Sequence, residues 1–167
     1  MPQRNFYLAT LAIAGGLLLA TPGITQQRTE GPDPSKQAIQ KAVLEASARM
    51  IQAANSLNAE AFFEFILEAG SGTIIQDGML FKSRQEALNA VRQGFQGLAK
   101  MDRQFIDPQV TVISPDTALL TSQGSTTATL QDGRVLQNRF AVSLLFVRKE
   151  GQWKVLHGHY SVPNQGQ

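Results

Sequence analysis

The sequence predicts an α+β fold, with helices segregated to one face of an antiparallel sheet. Three observations carry this expectation. Up to about residue 98, apolar residues recur at intervals of three and four, the repeat of a helix face. Beyond Asp102 the period changes to the alternation of strands. Turn signals at Asp77-Gly78, Ser114-Pro115-Asp116, Gln131-Asp132-Gly133 and Glu150-Gly151 then cut one hairpin into the helical half and divide the rest into long strands.

Ser35 is placed to cap a first helix that runs to about Leu57. Ile39, Val43, Ala46, Met50, Ala54 and Leu57 form its single apolar stripe. Asn58 offers the next N-cap, with Glu60 in the first turn against the positive end of the helix dipole. This second helix carries Phe62, Phe63, Ile66 and Leu67 and is expected to stop at Gly70. Residues 71–76 favour a short strand, Asp77-Gly78 a tight turn, and 79–81 the returning partner. Ser83-Arg84-Gln85-Glu86 is a capping box, in which hydroxyl and carboxylate satisfy free N–H groups reciprocally. The third helix places Leu88, Val91, Phe95 and Leu98 on its buried side. Strands are expected over 105–113, with Pro108 marking a bulge or an edge, then over 118–130, 135–148 and 153–162.

The N-terminus reads as a signal peptide over residues 1–26. Arg4 supplies the positive region, residues 6–19 are apolar and uncharged, and Ala20-Thr21-Pro22-Gly23 follows with small residues and a helix breaker. The apolar stretch falls short of the ~20 residues that span a bilayer. Cleavage is expected between Ala20 and Gln27; the alternative is an uncleaved N-terminal anchor. Either way the domain is expected outside the cytoplasm, periplasmic or extracellular, with no membrane association once the segment is cleaved. Residues 27–34 are polar and contain Gly31, Pro32 and Pro34, which suits a flexible linker. The domain proper is expected over 35–162, with a tail at 163–167.

Composition excludes several functions. Hydrophobic residues make up 43% of the chain, enough for a core. Lys and Arg number 15 against 13 Asp and Glu, a near balance without a basic stretch interleaved with aromatics, so no nucleic-acid partner is expected. The absence of cysteine excludes a disulfide framework, a cysteine nucleophile and a lipid-modified N-terminal cysteine. Gly70-Ser71-Gly72 opens a strand and lacks the setting of a nucleophile elbow. Glycine-rich phosphate loops are missing.

The stretch DGRVLQNRFAVSLLFVRKEGQWKVLHGHYS carries Gly133, Arg139, Arg148, Gly151, Trp153, Val155, His157, His159 and Ser161. It resembles the C-terminal part of SnoaL-like, or nuclear transport factor 2-like, proteins, which end in Gly, then Trp, then alternate positions closing in His-x-His-x-Ser. The stretch ISPDTALLTSQG is similar to the strand before it in that family. The resemblance covers about 35–162 and implies a cone-shaped roll, three N-terminal helices packed on a curved, mainly antiparallel sheet around a pocket. It also brings one departure. Catalytic relatives such as ketosteroid isomerase carry acidic residues where the second helix meets the first strand; here Leu67-Glu68-Ala69-Gly70 offers Glu68 as the sole acid.

Strict alternation would put Trp153, Val155, His157, His159 and Ser161 on one face of the last strand and Lys154, Leu156, Gly158 and Tyr160 on the other. The resemblance implies that one row lines the pocket, and the row with Trp153 and Val155 is taken as that one. The ligand-binding candidates are then Phe62, Phe81, Trp153, Val155, His157, His159 and Ser161, and the ligand a small apolar or amphipathic molecule. Acid–base chemistry would pair Glu68 or Asp77 with His157 or His159. Against it stand simpler roles: Asp77 as a turn residue, Glu68 as a solvated helix end, the histidines as fold elements. A metal on the two histidines would need a carboxylate from Glu64, Glu68 or Asp77, and neither a metal nor another cofactor is expected.

The function expected is that of an exported small-molecule-binding pocket protein. The alternatives are an isomerase, cyclase or hydrolase using carboxylate–histidine chemistry, and a dimeric interaction module. The strand over 135–148 is apolar on both faces, Phe140, Val142, Leu144 and Phe146 against Ala141, Leu145 and Val147. One face can cover the helices and the other would need a partner, so a homodimer through the sheet is expected.

Overall fold

The computed structural model describes residues 33–68 and 74–163. The expected signal peptide, nearly all of the linker, Gly70 as a helix stop and most of the tail lie outside the described residues.

Helix α1 (Pro34–Asn55) starts two residues earlier than expected. Its cap is Asp33, whose carboxylate accepts from the Ser35 N–H at 2.9 Å and the Ser35 hydroxyl at 2.7 Å. Pro34 fits the first helical position, where its missing N–H leaves nothing unpaired. The expected stripe holds: Val43, Ala46, Met50 and Ala54 are each no more than 1% exposed.

Helix α2 (Ala59–Phe63) is a five-residue stub capped by Asn58, not a helix reaching Gly70. The reason lies in competition for main-chain hydrogen bonds. Past Phe63 the chain turns extended and pairs with the last strand, the Leu67 N–H donating to the Val155 carbonyl at 2.9 Å and the Val155 N–H to the Phe65 carbonyl at 2.7 Å. Arg84 takes the released carbonyls of Phe63 and Ile66.

Strands β1 (Ile74–Gln76) and β2 (Met79–Phe81) form the expected hairpin. Asp77 and Gly78 adopt φ of 51° and 78° between them, the left-handed pair that a two-residue hairpin turn demands. Helix α3 (Arg84–Gln96) begins at the expected cap, Ser83 accepting from the Glu86 N–H at 3.1 Å. The Glu86 carboxylate reaches back one residue further than a capping box requires, to the Lys82 N–H at 2.7 Å.

Four long strands follow: β3 (Leu98–Ser114), β4 (Thr117–Leu130), β5 (Val135–Lys149) and β6 (Gln152–Ser161). The sheet order is β2-β1-β6-β5-β4-β3, antiparallel throughout except for the parallel pairing of β1 with β6. Strand β3 starts at Leu98, ahead of the expected 105, because Lys100, Asp102 and Gln104 are exposed while Met101, Arg103 and Phe105 turn inward. Pro108 marks a bulge, as expected: the register against β4 slips between Ile106 and Gln109, and Asp107 has a φ of 49°. The helices cover one face of the sheet, and the core forms there from Met50, Phe63, Leu120, Leu144 and Phe146, all under 2% exposed. Apolar burial on this scale is the main source of stability for such a domain.

Strand β6 overturns one expectation. Phe146 pairs with Val155 but Leu145 pairs with His157, so Leu156 is an extra residue on β6. A bulge of one residue inverts the alternation beyond it. Val155 therefore faces the helices at 1% exposure, and after the bulge it is Gly158 and Tyr160 that do so. His157, His159 and Ser161 fall on the opposite face, so the five residues do not share a single row.

Candidate functional site

Between α2, α3, the hairpin and the inner face of the sheet lies a cavity of about 470 Å³. Most of its wall is apolar, with Phe62, Phe63, Phe81, Phe95 and Met101 prominent. Among the described residues its polar groups are few: Gln76, Asp77, Arg103, Thr126, Asn138 and Tyr160. Three of them stand in one row, since Arg103 is in register with Thr126 and Thr126 with Asn138.

The placing of Arg103 follows from its strand. Strand β3 is a sheet edge, and the main-chain groups of Arg103 point away from β4. The Asn55 side chain, at the end of α1, satisfies both: its amide donates to the Arg103 carbonyl at 2.9 Å and its oxygen accepts from the Arg103 N–H at 2.7 Å. Arg103 and Thr126 are thus a pair without mutual main-chain bonds, the arrangement in which facing side chains come closest. Accordingly Arg103 Nε donates to Thr126 Oγ1 at 3.1 Å.

The guanidinium also lies 4.8 Å from the centre of the Phe140 ring and 5.4 Å from that of Tyr160, a double cation–π arrangement. Gly124 makes room for it. A Cβ there would strike the Phe140 ring and come 2.7 Å from the Gln104 carbonyl, so only glycine lets that ring lie across β4. Among the described residues no salt bridge joins Arg103 to an acid. Tyr160 does not supply a negative charge either. Burial pushes its phenol pKa up from 10.0, with the nearby Arg103 only partly opposing, so the hydroxyl keeps its proton at neutral pH.

The sequence-predicted residues divide between two faces. Phe62, Phe81 and Asp77 line the cavity. Val155 is buried in the core, and Trp153 packs beside Phe65 in a separate surface recess that also includes Glu64. His159 and Ser161 border a shallow groove on the far side of the sheet with Thr121 and Ser143. His157, opposite Leu145, shares that side. Glu68 is exposed and is not part of the cavity wall. The carboxylate–histidine pairing is therefore not assembled: Asp77 faces the cavity, the two histidines face away. Among the described residues no three His, Asp or Glu side chains cluster as a metal site.

Arg103, Thr126, Asn138 and Tyr160 were not among the candidates. A charged residue between Met101 and Phe105 on the inward row of β3 was the one available signal. Tyr160 stayed hidden because a bulge has no sequence signature in the pattern around Leu156.

Comparisons with known proteins agree on the architecture. The family model described as the SnoaL-like domain matches residues 43–165. Solved structures of similar fold include a candidate scytalone dehydratase from Novosphingobium aromaticivorans, at TM-score 0.71 and 10% identity over 78% of this chain and 87% of that one. A candidate dehydratase of the NTF2-like family from Streptomyces avermitilis has TM-score 0.68 and 19% identity over 77% and 98%. The association domain of C. elegans CaMKII has TM-score 0.63 and 19% identity over 77% and 99%. At such identities the likeness is one of fold. No curated protein matches the chain significantly.

Proposed function

We propose that this chain, which belongs to the SnoaL-like family, binds a small apolar or amphipathic molecule in its cone cavity and is not a carboxylate–histidine catalyst. The observation that carries the reading is the cavity wall, mostly apolar with a few polar residues among those described, and with His157 and His159 on the other side of the sheet. Such a site offers desolvation and shape, the ingredients of small-molecule affinity, without a paired acid and base. The test is a fluorescence titration with the neutral probe N-phenyl-1-naphthylamine. Saturable binding is expected for the wild type, and Ala90→Phe, which fills the cavity from α3, should weaken it at least about tenfold. A wild type that does not bind the probe, or an Ala90→Phe variant that binds it equally well, would sink the reading.

Two further properties are proposed with it. Export is supported by Arg4 and the apolar stretch of 6–19; N-terminal sequencing of the protein from its native compartment checks it, and an intact Met1 on cytoplasmic protein refutes it. A homodimer through the outer sheet face is supported by Leu119, Leu145 and Val147 on that face and by a fold relative that is an association domain. A monomer by light scattering at micromolar concentration would refute it.

A further inference from the structure

We propose that the polar row of the cavity is a carboxylate subsite, in which the Arg103 guanidinium receives the acid head of an amphipathic ligand whose apolar part lies against the phenylalanine wall. The proposal rests on the cavity being a binding site and names what that site selects.

Nε of Arg103 is committed to Thr126, while its two Nη groups have no hydrogen-bond partner among the described residues. No buried side-chain nitrogen or oxygen in these residues lacks a partner. The Nη groups must therefore open onto the cavity rather than lie sealed in the core. The Tyr160 hydroxyl, protonated and likewise without a partner, opens onto the same space.

The surroundings set the charge. Rows of apolar residues flank the polar one: Met101 with Ala128 on one side, Phe105, Gly124 and Phe140 on the other. A cation held among apolar groups gains most from an anion that replaces lost solvation. Stacking on Phe140 and Tyr160 fixes the plane of the guanidinium, and the main-chain clamp by Asn55 fixes its base, so little ordering remains for the ligand to impose.

The choice of carboxylate follows from charge count and shape. Among the described residues Arg103 is the one cation in the cavity wall, so a single negative charge is matched and a phosphate dianion would leave one charge uncompensated. Two Nη groups in a fixed plane match the two oxygens of a carboxylate. Asp77 also belongs to the wall, but it is exposed at the hairpin turn, where its carboxylate accepts from the Gln76 amide at 3.3 Å.

The experiment compares decanoate with decanol, equal tails with different heads, as displacers of N-phenyl-1-naphthylamine from the purified protein. Decanoate should displace the probe at concentrations at least about tenfold lower. Arg103→Gln should bring decanoate to within about twofold of decanol, both read against the probe in the same variant. Equal displacement by the two in the wild type overturns the subsite, as does a decanoate preference that survives Arg103→Gln. Decyl phosphate outcompeting decanoate overturns the choice of carboxylate. Should Arg103→Gln fail to fold, the wild-type ratio of decanoate to decanol decides. Failure of the probe to bind at all removes the cavity reading itself, whereas a bound probe with no preference for the acid removes the subsite alone.

Discussion

The Asn55 carboxamide closes on both main-chain groups of Arg103, at 2.9 and 2.7 Å, and so ties the end of α1 to the free edge of β3. An unpaired edge is where a sheet is weakest, and this clamp covers it beside the cavity. Asn55→Ala leaves a partly buried N–H and carbonyl unpaired and should cost about 2–3 kcal/mol. Urea denaturation measures it. A loss under about 0.5 kcal/mol would mean that water replaces the amide without penalty.

Gly124 and Phe140 form a second dependent pair. Gly124→Ala puts a methyl group where the ring lies and should cost about 1–3 kcal/mol. The cost should shrink in a Phe140→Leu background, because the smaller side chain vacates the space. A double-mutant cycle reads this directly; strict additivity would show that the clash is relieved elsewhere.

Alkaline pH should weaken the fold through Tyr160. Its folded pKa is raised above 10.0 by burial, so the native state holds the proton more tightly than the unfolded chain. The stability this provides is complete below pH about 10 and is lost as pH rises through the folded value, with a slope of at most about 1.4 kcal/mol per pH unit. Tyr160→Phe should abolish that slope. Denaturation midpoints of both proteins between neutrality and high pH test the sign. A wild type that loses no more stability than Tyr160→Phe in that window contradicts it.

Leu156 is partly buried, and Leu156→Ala should be tolerated at about 1–2 kcal/mol. Deleting Leu156 is a different event. It removes the unpaired residue and leaves Leu145 opposite His157 and Val142 opposite Tyr160, so Val155, Gly158 and Tyr160 keep the inward row in strict alternation. We expect the deletion variant to retain cooperative thermal unfolding. A deletion variant without a cooperative transition would show that the bend made by the bulge is itself required for β6 to pair.

The helical stripe of α1, the hairpin, the cap of α3 and the four long strands were legible because each has a local cause: period, turn residues or a capping side chain. The segment after Phe63 was not, since its extended form is decided by main-chain groups of β6 that lie far away in sequence. The cavity wall was half legible. Phe62 and Phe81 follow from apolar pattern alone, but Tyr160 depends on one unpaired residue in β6, and Arg103 depends on which edge of β3 the Asn55 amide covers. Rows are readable from sequence only as far as the first bulge.

The bulge at Leu156 also bears on how residues may be compared between proteins of this shape. On β6 a substitution changes one contact, whereas the presence or absence of a bulge within the same spacing of letters exchanges interior for exterior along everything downstream. A His-x-His-x-Ser ending can thus be matched letter for letter in two chains and still present its imidazoles to a pocket in one and to solvent in the other. Transfer of a role along such a strand requires the pairing partner of each residue, here Leu145 for His157 and Val142 for Tyr160, and not the letters alone.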